Sequence, residues 1–143
     1  TKNTDTKFIN MSKDRIDCYL GPGESYSQIT MQAIKDITEA DVWLIGSPIY
    51  NSLFSSALKN LFEYINYKET PGKTAGIAIM ASGSISFTNV QSVITSLMSY
   101  FKVITNPKAV NMTADQIKDG KIVDENAMAR LRELVDETLK LTS

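Results

Sequence analysis

Two hydrophobic patterns alternate along the chain. Short continuous apolar runs occur at Val42-Trp43-Leu44-Ile45 and from Ala75 to Met80, with a third at Val103, Ile104, Ala109 and Val110 that Pro107 interrupts. Runs of this kind read as strands buried on both faces. Between them, apolar residues recur at three- and four-residue spacing, which marks the buried stripe of a helix. The stripes are Ile29, Ala33, Ile34 and Ile37 within 26–39, then Ala57, Leu58, Leu61, Phe62 and Ile65. Two more follow: Val90, Val93, Ile94, Leu97, Met98 and Phe101, and Met128, Leu131, Leu134, Val135 and Leu139. Asn89 and Asp124 stand where the last two helices need caps. Phe8 and Ile9 predict a weak first strand ending at Met11. Residues 12–25 read as loop, Gly46-Ser47-Pro48 ends a strand, and Pro71-Gly72 and Asp119-Gly120 are turns. Strand and helix thus alternate four times, which predicts a parallel sheet covered on both faces in one domain, 1–143.

Composition narrows the chemistry. With 43% apolar and 22% charged residues the chain is globular rather than disordered. Fifteen basic residues meet sixteen acidic ones, so no positive excess exists to hold a nucleic acid backbone. Histidine is absent, which removes His-based triads and His-ligated metals. The single cysteine, Cys18, removes internal disulfides and all-cysteine metal sites, and reads as an ordinary loop thiol. No run approaches the roughly 20 apolar residues of a membrane span and no signal peptide is visible, so a soluble cytoplasmic protein without a membrane partner is expected. Trp43 and the methionines read as core, and the acids between Asp115 and Asp136 as a solvated helix surface. Difficult chemistry on such a chain calls for a borrowed cofactor.

In open parallel sheets, ligands bind beyond the carboxyl ends of the strands. Two such ends stand out: Gly46-Ser47-Pro48-Ile49-Tyr50-Asn51-Ser52 and Ala81-Ser82-Gly83-Ser84-Ile85-Ser86. Both are small, rich in hydroxyls and uncharged. Small residues let a backbone approach a flat ligand, and turns can aim N–H groups at ring oxygens and nitrogens. The segments suit a planar polar heterocycle better than a metal or a phosphoryl group. Ordinary strand-to-helix turns remain the alternative reading of the same residues.

The order Ala40-Asp41, apolar strand, Ser47-Pro48-Ile49-Tyr50-Asn51, then Ala57-Leu58-Lys59-Asn60 resembles the NADPH-dependent FMN reductase family. Gly72-Lys73 before a strand, a Ser/Gly loop after it, and Asp119-Gly120-Lys121-Ile122-Val123-Asp124-Glu125 continue the resemblance in register over 40–139. It implies a flavodoxin-like three-layer α/β sandwich with a parallel sheet. It implies FMN as cofactor, lined by Ser47, Pro48, Ile49, Tyr50 and Asn51 on one side and Ser82, Gly83 and Ser84 on the other. It implies an oxidoreductase that takes hydride from NADPH or NADH and reduces a quinone, azo, metal or flavin acceptor, assembled as a homodimer or homotetramer. No side chain is expected to act as acid or base. Residues 14–23 resemble the segment that carries a cluster in iron–sulfur flavoproteins, but Cys18 alone cannot hold one. The family's first strand and phosphate loop have no counterpart here, and residues upstream of Thr1 are expected to supply them. An electron carrier of flavodoxin type and a flavin-free scaffold are the alternatives. A response-regulator receiver shares the architecture but needs acids where Ser47 and Ser82 stand.

Overall fold

Ser27 opens the first helix, its hydroxyl accepting from the Thr30 N–H at 3.3 Å. In the computed structural model, residues 4–142 are described; residues 1–3 and 143 of the expected domain lie outside them. Helix α1 (Gln28–Glu39) leads into strand β1 (Val42–Tyr50), which turns back as β2 (Leu53–Phe54) before α2 (Ser56–Glu63). Strand β3 (Thr74–Ala81) and α3 (Phe87–Tyr100) follow, then β4 (Ile104–Thr105), β5 (Val110–Thr113) and a 3-10 turn at Ala114–Gln116. A small hairpin, β6 (Ile117–Lys118) and β7 (Lys121–Ile122), precedes α4 (Glu125–Lys140).

The central sheet is parallel where β1 meets β3, from Val42 opposite Thr74 to Pro48 opposite Met80. The other edge of β3 takes β4 and β5 in turn, also parallel. Those two pieces are the strand that Pro107 was expected to interrupt. One face of the sheet, with Trp43, Ile45, Ala75, Ile77 and Ile79, packs against Leu58 and Phe62 of α2 and Val90, Ile94 and Met98 of α3. Each valine, leucine, isoleucine, phenylalanine or methionine among these stabilises the fold by roughly 1.5–3 kcal/mol on full burial. On the opposite face Ala78, Val110 and Met112 pack with Ala127, Leu131 and Leu134 of α4. This makes the expected α/β arrangement of helices on both faces. Lys73 is buried and donates to the carbonyls of Thr38 and Ala40 at 2.6 and 2.7 Å, so its charge sits at the negative end of α1.

The structure corrects four expectations. Residues 4–10 form no strand, and Phe8 is 85% exposed, because no ladder partner lies beside them. Strand β1 does not end at Gly46 but runs to Tyr50. Pro48 is tolerated because its missing N–H falls on the edge away from β3, where no ladder bond is lost. Asn89 does not cap α3; the N-cap is Ser86, three residues earlier. In α1 the buried residues are Thr30 and Ala33, while Ile29 is exposed. The Thr30 hydroxyl accepts from the Asp17 N–H and donates to the Asp17 carboxylate, both at 2.9 Å, which turns that face toward the loop.

Candidate functional site

Strands β1 and β3 are parallel neighbours, so their carboxyl ends open onto the same side of the sheet. Beyond Tyr50 the chain reverses through Asn51 and Ser52, with φ of 49° and 64°, and re-pairs as Ile49 opposite Phe54 and Tyr50 opposite Leu53. Two successive residues at positive φ make a turn whose twist matches the strands it joins. The turn leaves Tyr50 65% exposed, with Asn51 and Ser52 also in the open. Ser47 behaves differently. Its side chain is buried, donating to the Pro48 carbonyl at 2.9 Å and accepting from the Ser55 N–H at 3.0 Å. The Ser47 hydroxyl therefore fixes the path from β1 into α2. Pro48 and Ile49 are half-buried below Tyr50.

The second loop follows β3. Ser82, Gly83 and Ser84 are exposed, and a Cβ built on Gly83 meets nothing within 4 Å. Among the described residues, the main-chain N–H groups of these three make no backbone hydrogen bond outside regular elements. They remain able to donate. The loop ends at Ser86, held at φ 72°, whose side chain does not cap α3. A non-glycine residue in that region costs on the order of 1–2 kcal/mol, so neighbours must hold it there. The restraint is a bridge to the first loop: the Ser86 hydroxyl donates to Ser52 Oγ at 3.1 Å, and Asn89 Nδ2 donates to the Ser52 carbonyl at 3.3 Å.

The fold thus brings the two predicted segments into contact, through residues other than the expected FMN-lining ones. Ser52, Ser86 and Asn89 join the loops, and the pairing spans 34 residues of sequence between the two serines. No local pattern announces such a pairing; the one usable signal is the serine content of both loops. No Asp, Glu, Lys or Arg occurs over 42–58 or 74–101. The surface offered by the two loops is therefore hydroxyls, amides and the apolar side chains of Tyr50, Leu53 and Ile85, the last 83% exposed. The donor set fits the uncharged ring system of a flavin, which needs polar contacts along one edge and apolar contact on its face. Neither loop carries a cation for a phosphate.

Asn60, from the Leu58-Lys59-Asn60 motif, serves another place. Its amide accepts from the Tyr19 N–H at 2.9 Å and donates to the Asp17 carbonyl at 2.8 Å. Tyr64 donates to the same carbonyl at 2.8 Å and meets the rings of Tyr19 and Tyr26 edge-on at 5.0 and 4.9 Å. Burial, followed by the neighbouring Tyr26 and Asp17, pushes the Tyr64 hydroxyl up to about 12. This cluster fastens the 17–26 loop to α1 and α2. Cys18 lies exposed beside it.

A family model described as NADPH-dependent FMN reductase matches residues 1–116. A protein of Geobacillus thermodenitrificans named NAD(P)H-dependent FAD/FMN reductase is 25% identical over 118 residues, 82% of this chain and 64% of that one. The chain spans between 53% and 64% of the length of the curated relatives it matches. An oxidoreductase structure from Corynebacterium diphtheriae superposes with a TM-score of 0.69 at 15% identity, over 82% of this chain and 64% of that one. An FMN-dependent NADH-azoreductase of Bacillus anthracis, solved in complex with FMN, gives 0.60 at 12% identity, over 94% and 80%. These two structures share the flavodoxin-like fold with this chain.

Proposed function

The chain belongs to the NADPH-dependent FMN reductase family, and from that premise we propose that its two joined loops hold the ring of FMN in a cytoplasmic NAD(P)H oxidoreductase. The observation that carries this reading is the Ser52–Ser86 bridge, which sets an uncharged, hydroxyl-lined surface at the carboxyl ends of β1 and β3. Pro48, Ile49, Tyr50 and Asn51 supply one wall, and Ser82, Gly83 and Ser84 the other. Ser47 supports the first wall from beneath through Ser55 rather than facing the ligand. FMN bound there supplies a carrier that takes hydride from a nicotinamide and passes electrons to a small acceptor such as a quinone, azo compound, metal or free flavin. The protein contributes position and exclusion of water. The free N–H groups of the 82–84 loop bind the polar edge, and Tyr50 offers an aromatic face and a hydroxyl. No side chain of the two loops has the charge or basicity to move a proton, so the chain's part in the rate is orientation.

The test is a visible spectrum of the purified protein titrated with FMN, then with NADPH or NADH under nitrogen. A shifted flavin band that co-elutes with the protein and bleaches with the nicotinamide is expected. FMN that elutes wholly apart from the protein overturns the reading. Retained flavin that no nicotinamide reduces supports an electron carrier instead. Assembly as a homodimer or homotetramer belongs to the same proposal and is read from the mass in solution.

A further inference from the structure

The ladder between β1 and β3 ends with Pro48 opposite Met80. Past that point other contacts must hold the two loops together. Among the described residues, the hydrogen bonds that join them both end on Ser52, the Ser86 hydroxyl on its Oγ and the Asn89 carboxamide on its carbonyl. Strain collects at the same place. Five non-glycine residues among the described ones have positive φ, and Asn51, Ser52 and Ser86 are three of them. Strained backbone persists only where its surroundings over-determine it, and it clusters where a site must be held in one geometry. An exposed hydrogen bond of 3.3 Å adds little stability by itself. The use of the Asn89 bond lies in what it positions.

The two ends of that bond differ in firmness. Phe87, Val90, Ile94 and Met98 are buried and seat α3 in the core, while Asn89 stands on the exposed side of its first turn. Ser52 lies on an exposed turn that closes a ladder of only two residue pairs, Ile49 with Phe54 and Tyr50 with Leu53. A hairpin that short is not rigid alone. The helix is the firm end and the turn is what it holds. We propose that Asn89 is a positioning residue for hydride transfer: its carboxamide ties the Tyr50–Ser52 turn to α3 and so fixes the separation between that wall and the 82–84 amides. The role is indirect, exerted through Ser52, and it rests on FMN lying between the two walls. The separation sets how the ring lies and hence how the nicotinamide approaches it. A misplacement of about 1 Å can lower a rate by roughly 100-fold.

Asn89→Asp tests this with the fold kept. A carboxylate cannot donate to the Ser52 carbonyl, yet an acid in the first turn of α3, which has none, favours the helix. The urea midpoint is expected to stay near the parent's. Thr88→Asp puts the same charge on the same exposed turn and leaves the bridge alone, and Asn89→Gln keeps a donor. Each protein is loaded with FMN and its reduction by NADPH is followed by stopped flow under nitrogen. Asn89→Asp is expected to be reduced roughly tenfold more slowly at saturating NADPH, with KM little changed. Thr88→Asp should keep the parent's rate, and Asn89→Gln should recover most of it. Hydrogen exchange of the flavin-free chains reads the tether without turnover: the Asn51, Ser52 and Ile85 amides should exchange faster in Asn89→Asp than in the parent or Thr88→Asp. An Asn89→Asp protein with the parent's rate and exchange overturns the proposal. So does an equal loss of rate in Thr88→Asp, and so does a lowered urea midpoint with an unchanged rate. A parent that retains no FMN overturns the flavin reading and with it the role in hydride transfer; the exchange data, which need no flavin, tell that failure from a failure of the tether.

Discussion

Gly76 is the position where one methyl group should be felt most. It lies in β3 under α4, and a Cβ there would fall 2.7 Å from Thr138 Oγ1, 3.1 Å from Leu44 Cδ2 and 3.2 Å from Leu134 Cγ. Thr138 cannot swing aside freely. Its hydroxyl donates to the Leu134 carbonyl at 2.6 Å and accepts from the buried Asn106 amide at 3.2 Å. Gly76→Ala therefore forces α4 outward by several tenths of an ångström. Overpacking of this kind costs about 1–3 kcal/mol. The stiffer unfolded chain returns about 0.4–1 kcal/mol, leaving a net loss of about 1–2 kcal/mol. For a chain of this size that corresponds to a Tm lower by roughly 3–8 °C. Urea unfolding should show a lower midpoint at unchanged slope. The mechanism has its own check in Thr138→Ala, which costs about 1–3 kcal/mol by leaving the Asn106 amide unpaired. It also removes the atom that the new methyl strikes. The double variant should therefore be more stable than the sum of the singles by about 1 kcal/mol. A Gly76→Ala protein as stable as the parent, or strictly additive effects, would refute the close approach of α4 to β3.

Three further outcomes are expected. Asn51→Gly keeps the positive φ of the turn while removing the side chain, so stability should hold within about 0.5 kcal/mol while FMN affinity, read by fluorescence titration, falls several-fold; unchanged affinity would remove Asn51 from the site. The Ser27 backbone N–H, then the Ser27 and Thr30 hydroxyls, hold the Asp17 carboxyl below its ordinary value of 3.8. Its contribution is thus present above 3.8 and lost as pH falls through the lower folded value. Urea midpoints followed into acid should drop more steeply for the parent than for Asp17→Asn, and equal slopes would contradict the assignment. Tyr64 is shifted the other way, from 10.0 to about 12, so its contribution is complete below 10.0 and lost as pH rises through about 12. A tyrosinate absorbance step near 12 should vanish in Tyr64→Phe.

Much of this molecule is legible in the sequence because it rests on local rules. The uninterrupted run at Ala75–Met80 demands burial on both sides, and β3 is the central strand. The stripe through Leu58, Leu61 and Phe62 can be only one helix face, and all three are buried. Asp124 caps α4, its carboxylate accepting from the Ala127 N–H at 2.6 Å, because that geometry needs only three neighbouring residues. Asp119-Gly120 turns because both residues accept positive φ. The serine and glycine content of the two strand ends marked them as a pair of candidate walls. What local rules could not decide is whatever needs a distant partner. Residues 4–10 have a strand's pattern but no strand beside them, since a ladder requires two chains of backbone groups in register. Ser47 has the composition of a ligand residue, yet its hydroxyl is spent on Ser55. Ser86 rather than Asn89 starts α3, because Asn89 is drawn across to the Ser52 carbonyl. Hydrophobic period and capping act within a turn or two of chain, so the sequence carries them openly. Hydrogen bonds between Ser52 and Ser86, or between Asn60 and the 17–19 loop, exist only once the sheet has brought those residues together.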